Sequence, residues 1–365
     1  MTKFLKRYGI GAIAALGILT SCRDEPTNTP DVNFDRKAMF QNIADNIIVP
    51  EYSLFKTKVL EMDAALNDFA ATPNPANLQA AREKFQTAYL AWQRTSAFEI
   101  GPANSLSLRS NLNTFPTNIN LINNNIQSGA ANLDVVSNWA AKGFPAIEFM
   151  LYGAGAEADV VKLFTTDADA LKRIQYLKVI MSDIKQKVVT VHGIWMETFR
   201  NDFINNTGTD KGSSLGELVN QLNFDWEVIK NPKLGIPVGI KTLGEPLPKN
   251  VEAYYSGKSL ELALENSRAI LNLYKGGNGL GLDDYLNAYN AKHGNTTLDA
   301  AIQAQMTAAI SALEAIPGPL SEAVINNKSG VEKAYQEFQK AVVLLKADMP
   351  SILGVMISYT DADGD

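Results

Sequence analysis

Residues 168–205 read ADALKRIQYLKVIMSDIKQKVVTVHGIWMETFRNDFIN. Within them Leu171, Ile174, Leu177, Ile180, Ile184, Val188, Val191 and Trp195 recur at spacings of three and four, with Lys, Arg, Gln and Asp between. That is the period of one apolar face on an α-helix, not the alternation of a strand. The stretch predicts one long amphipathic helix.

The same spacing recurs on both sides. Ile43, Ile47 and Ile48, then Leu54, Val59, Leu60, Met62, Leu66 and Phe69, predict a long helical region with a kink at Pro50 and an end at Pro73 and Pro75. Residues 77–98 predict a second helix, capped by Asn74 or Asn77, with Tyr89, Trp92 and Phe98 in the core. Residues 101–134 are rich in Asn, Ser and Gly and allow only short helical stretches. Helices are expected to begin at 145–152 and to run over 214–229, 259–274, 281–291, 297–315 and 329–347. Residues 231–250 hold Pro232, Pro237, Pro246 and Pro248 and are expected to be irregular, yet to pack through their Leu, Ile and Val. The fold class is all-α. Residues 207–213 (TGTDKGS) mark a boundary between helical-bundle domains at 34–206 and 207–365. A shift of 253 residues superimposes Ala81, Phe85, Gln86, Ala88 and Gly101 on Ala334, Phe338, Gln339, Ala341 and Gly354, which points to two related four-helix bundles. A cleft between them is the natural place for a site.

Composition narrows the function. The chain has 365 residues, 46% hydrophobic and 20% charged, with formal net charge −6 from 33 basic and 39 acidic residues, which argues against a general nucleic-acid binder. Cys22 is the one cysteine, so no intramolecular disulfide forms, and His192 and His293 are the only histidines, which excludes multi-His zinc sites.

Lys3, Lys6 and Arg7 precede an apolar run from Gly9 to Leu19, too short to span a bilayer as a stable helix, and then Leu19-Thr20-Ser21-Cys22. This resembles the lipobox of bacterial lipoproteins, in which cleavage before the cysteine exposes it for lipidation. The alternative is a plain signal peptide with a chance cysteine. The expectation is a signal peptide at 1–21, a lipidated Cys22 and a flexible leash over 22–33, rich in Pro, Thr and Asn. Acyl chains at about 0.8 kcal/mol per buried methylene make a stable membrane anchor. Position 23 is Arg, not the Asp of an inner-membrane retention signal, so an outer-membrane lipoprotein of the cell envelope is expected, on its periplasmic or its surface face.

Residues 143–153, GFPAIEFMLYG, resemble the GxHxxE signature of the imelysin family. The closing LKADMPSILGVMISYTDADGD, the stretch 250–276 and the preceding GIPVG are also similar to imelysin-like lipoproteins, in family order, and the resemblance covers about residues 34–365. It implies two related helical bundles in a secreted or envelope-anchored protein, a family first classed as metallopeptidases and tied to iron uptake, and a site at the His and Glu of the motif, between the domains. This sequence has Pro145 where the His is expected. Proline offers no lone pair to a metal, although it suits the first turn of a helix.

Glu148 remains, among Ile147, Phe149, Met150 and Leu151 and in the expected first turn of its helix. It is read either as a carboxylate contacting a ligand or a metal, or as a structural Glu that caps backbone N–H groups or pairs with an Arg. Buried without a cation, it would have a raised pKa. Glu252, Tyr255, Ser256 and Ser259 are candidates to line a polar pocket, with a helix-capping role for Ser256 or Ser259 as the alternative. His192 and Glu197, five apart, are poorly spaced for a shared metal, and His293 is expected at a helix end. DADGD at 361–365 resembles half of a calcium loop but lacks its closing Glu. GGNGLGL at 276–282 reads as a helix-ending turn, not a phosphate loop. Three functions follow as expectations: a non-catalytic envelope binding protein for iron or another nutrient, with an outer-membrane transporter as partner and iron or another divalent metal as cargo or cofactor; a divergent metallopeptidase using Glu148; or a structural or docking lipoprotein.

Overall fold

The computed structural model describes residues 32–129 and 132–359. The expected signal peptide, Cys22, most of the leash and the DADGD tail lie outside the described residues.

The chain is helical almost throughout, as its periodicity predicts. The helices that carry the argument are α1 (Arg36–Ile43), α2 (Val49–Ala71), α3 (Pro75–Thr95), α4 (Gly143–Tyr152), α5 (Ala170–Ile194), α6 (Ser214–Val228), α7 (Ser259–Tyr274), α8 (Leu298–Glu314) and α9 (Lys328–Val343). Local chemistry sets their starts. Asn74 accepts a hydrogen bond from the Asn77 N–H at 2.9 Å, Ser213 from Gly216 at 3.0 Å and Thr297 from Ala300 at 3.1 Å.

Proline shapes their interiors. α1 and α2 are joined without a break by a π-helical stretch, Ala44–Ile48, just ahead of Pro50. Pro50 has no N–H to donate and its ring crowds the carbonyl four residues back, and a wider turn relieves both. The same device, Leu344–Asp348, precedes Pro350. It also corrects the expectation for 231–250. Pro232 sits inside a π-helical stretch, Ile229–Gly235, that continues α6, and only beyond Val238 does this segment become turns and one 3-10 turn. The segment does pack through its apolar residues, since Leu234 and Val238 are fully buried.

α2, α3 and α5 pack together with α4, and α6 to α9 pack among themselves. α3 also lies against α7 and joins the two groups. Buried apolar side chains from Met39 to Val355 form one continuous cluster. Phe144 stacks on Tyr89 at 4.7 Å, and Trp226 lies 4.5 Å from Phe338. Each such side chain contributes about 1.5–3 kcal/mol on burial. Tyr89, Trp92 and Phe98 are all buried, as expected. Leu171 is not part of the core face. In the first turn of α5 it lies beyond the reach of neighbouring helices and is 82% exposed.

Positions paired at the 253-residue shift occupy matching environments. Ala81 and Ala334, Phe85 and Phe338, and Ala88 and Ala341 are all buried, and Gly101 and Gly354 both have positive φ. Among the described residues no helix is long and apolar enough to cross a membrane.

Candidate functional site

α4 presents the signature segment. It opens at Gly143, whose φ of +72° suits glycine, and a Cβ there would lie 2.2 Å from the Leu112 carbonyl oxygen. Pro145 lies in the first turn, where its missing N–H costs nothing. Glu148 is one turn further on than expected, in the second turn, so the helix N-terminus is not what holds it. Ser256 does that. Oε1 of Glu148 accepts the Ser256 backbone N–H at 2.7 Å and the Ser256 hydroxyl at 2.7 Å. The carboxylate is 2% exposed. Burial pushes its pKa up to about 7; the Ser256 bonds and the Tyr255 backbone oppose this, and the charge of Glu252 adds to it.

Glu252 is 1% exposed and fully engaged. Its Oε1 accepts from Asn113 at 2.7 Å, Gln93 at 2.9 Å and the Tyr89 hydroxyl at 3.3 Å, and its Oε2 lies 3.0 Å from Lys233 Nζ. That last contact is an ion pair off the line of a good hydrogen bond. Ser259 donates to the Glu252 carbonyl, so neither serine caps α7, whose N-cap residue is Lys258. The structure therefore brings Glu148, Glu252, Ser256 and Ser259 into one neighbourhood, with all four tied to protein groups.

Beyond Glu252 the polar chain continues through the interior. Lys233 Nζ donates to Gln93 Oε1 at 2.6 Å and to Asn266 Oδ1 at 2.9 Å. Asn266 Nδ2 donates to Asp225 Oδ2 at 2.6 Å and to Ser96 Oγ at 2.9 Å. Asp225 is wholly buried and pairs with the Arg109 guanidinium, which also donates to the Ser96 carbonyl at 2.6 Å and to Glu99 at 3.1 Å. Burial pushes the Asp225 carboxyl up, but Arg109, Lys233 and the bonds from Ser96 and Asn266 outweigh it and hold the group below its ordinary value. Buried charges persist only when paired and hydrogen-bonded, and here each is. The network links residues 89–113 with residues 225–266, along the line where α3 meets α7.

Gln93, Arg109, Asp225, Lys233 and Asn266 are not evident from motif reading. The signal that finds them is a polar residue at an apolar helical position. Asp225 falls between Leu222 and Trp226, Asn266 between Leu262 and Ile270, and Gln93 beside Trp92, all buried.

A catalytic zinc needs three protein ligands and an open position. The residues here do not fit one. Pro145 supplies no donor, Oε1 of Glu148 is taken by Ser256, and among the described residues no three His, Cys, Asp or Glu side chains converge. His192 lies 3.0 Å from the Ser53 hydroxyl and 3.3 Å from Lys56 Nζ, and burial together with that cation lowers its pKa. His293 is not at a helix end. It lies in a two-residue hairpin, Lys292–His293 against Thr296–Thr297, 3.3 Å from Asp348.

An all-helical chain with a signature helix, α4, clasped to a loop ahead of α7 defines a class. Residues 48–349 match the profile of the imelysin family, and the chain belongs to that family. It is 23% identical over 290 residues to iron-regulated protein A of Synechococcus elongatus, covering 77% of this chain and 76% of that protein. A crystal structure described as an iron-regulated protein A precursor from Parabacteroides distasonis superimposes with TM-score 0.71 at 19% identity, covering 88% of this chain and 96% of that one. An imelysin-like protein from Psychrobacter arcticum gives 0.69 at 16% identity, covering 90% and 100%. At these identities the two structures share the fold.

Proposed function

We propose that this protein is a non-catalytic binding protein of the imelysin family, held at the outer membrane by a lipid on Cys22 and serving iron or nutrient uptake. The observation that carries the reading is the state of the signature. Pro145 has no donor atom, and Glu148 spends its Oε1 on the N–H and hydroxyl of Ser256. A carboxylate clasping a loop in this way is not placed to activate water. Glu148 instead joins α4 to residues 251–258, so the seam between the helix groups is fixed by the residue that a peptidase would use as base. Two similar proteins carry names that record regulation by iron, which supports a role in iron acquisition. An outer-membrane transporter is the partner this reading implies.

The test is a peptidase assay on the purified chain after dialysis against zinc or ferrous iron, with casein as substrate. No peptide release above that of a Glu148→Gln control is expected. Release by the wild type that disappears in Glu148→Gln would overturn the reading and restore the metallopeptidase alternative.

A further inference from the structure

Gln93 and Arg94 are neighbours on α3 and point to opposite sides. Gln93 joins the buried network, whereas Arg94 reaches a groove between the α1–α2 helix and α7. Its Nε lies 2.6 Å from Glu265 and its Nη1 3.8 Å from Glu51. This stretch of the groove encloses about 290 Å³ over an apolar floor of Ile47 and Phe98. A second stretch of about 580 Å³ adjoins it, lined by Asn46, Asn278 and the glycines at 276, 277 and 279. Ile47 and Asn272 line both, so the two are parts of one channel.

Two features are unspent. Glu51 Oε2 is buried and accepts no hydrogen bond among the described residues. Locally Glu51, Glu265 and Glu314 face only Arg94 and Arg268, an excess of one negative charge. A buried carboxylate oxygen with room beside it calls for a cationic donor. The carboxamides of Asn272 and Asn278 also make no hydrogen bond among the described residues, and each offers one donor and one acceptor group. Asn42 is already committed, to the carbonyls of Gly276 and Leu280, and closes that end of the channel.

Spacing decides between ligands. Glu265 and Asn272 are two turns apart on α7, about 10 Å along the axis. An extended peptide covers that distance in about three residues. We propose that this groove binds a short, extended, basic peptide segment, its lysine or arginine meeting Glu51 and Glu265 and its backbone amides, about three residues on, meeting Asn272 and Asn278. The site is separate from Glu148 and does not depend on the reading of that residue.

The experiment is fluorescence anisotropy on the full chain with a labelled hexapeptide, Gly-Ala-Lys-Ala-Ala-Gly. The controls are the same peptide with Glu for Lys, and unlabelled spermidine as an amine without amides. The lysine peptide is expected to bind at least about tenfold tighter than its Glu counterpart. Glu51→Gln and Asn272→Leu should each weaken it by about fivefold to tenfold, while Glu83→Gln on the exposed face of α3 leaves it unchanged. Equal binding of the two peptides, or no effect of Glu51→Gln, overturns the site. Displacement by spermidine as readily as by the unlabelled lysine peptide overturns the peptide assignment. Should Glu51→Gln fail to fold, Glu265→Gln makes the same test.

Discussion

Glu148 and Ser256 are 108 residues apart in sequence, and one carboxylate oxygen of the first receives both the backbone N–H and the hydroxyl of the second, each at 2.7 Å. This contact fastens the signature helix to the loop that precedes α7, and it occurs where the motif of the family otherwise supports metal chemistry.

The Glu148 carboxyl should make stability depend on pH. Burial raises its pKa from the ordinary 4.5 to about 7, so between these values the folded state keeps a proton that the unfolded chain releases. Its contribution is constant below about pH 4.5, declines as pH rises, and levels off above about pH 7, a change of about 3 kcal/mol. Denaturant midpoints for wild type and Glu148→Gln across this window check it. The variant should gain on the wild type as pH rises.

Asp225→Asn should cost about 3–5 kcal/mol, because it leaves the buried Arg109 guanidinium with Glu99 as its remaining acid partner. The Asp225 pKa is held below its ordinary 3.8, so its stabilising effect is full above about that pH and is lost on acidification through the lower folded value. Guanidinium titration at pH 7 and at pH 3 should show the variant's deficit shrinking at the lower pH.

Gly143→Ala and Gly129→Ala separate strain from collision. Both glycines have positive φ, +72° and +67°, and a Cβ at 129 meets nothing within 4 Å, whereas at 143 it meets the backbone of Leu112. Gly129→Ala should cost about 1–2 kcal/mol, for φ alone. Gly143→Ala should cost clearly more, because backbone cannot step aside cheaply. Thermal unfolding of the two variants compares them directly.

Cys22→Ser should release the protein from membranes. Without acyl chains worth about 0.8 kcal/mol per buried methylene, the chain should move from the detergent phase to the aqueous phase in cloud-point partitioning. Retention in the detergent phase would count against the lipid anchor.

Much of the fold is legible in sequence because long helices repeat their apolar period many times. The α5 pattern at 177, 180, 184, 188, 191 and 195 reads correctly, and it misleads at Leu171, where no neighbouring helix reaches the first turn. The proline-rich stretch after α6 misleads for another reason. Composition shows that an ordinary helix must break there, but not that a π-helical turn absorbs Pro232. For the candidate site, the motif identifies Glu148, and the resemblance over 250–276 leads to Glu252, Ser256 and Ser259. The partners of these residues are scattered from Tyr89 to Asn266, and no local pattern joins them. Only the packing of α3 on α7 does so.

Hydrogen exchange at the 251–258 loop, followed by mass spectrometry in wild type and Glu148→Ala with and without zinc, tests the clasp most directly. The account predicts a slow Ser256 amide in the wild type, markedly faster exchange in Glu148→Ala, and no response to zinc in either. Equal exchange in the two proteins, with zinc slowing the wild type alone, would show a carboxylate reserved for a metal and contradict it.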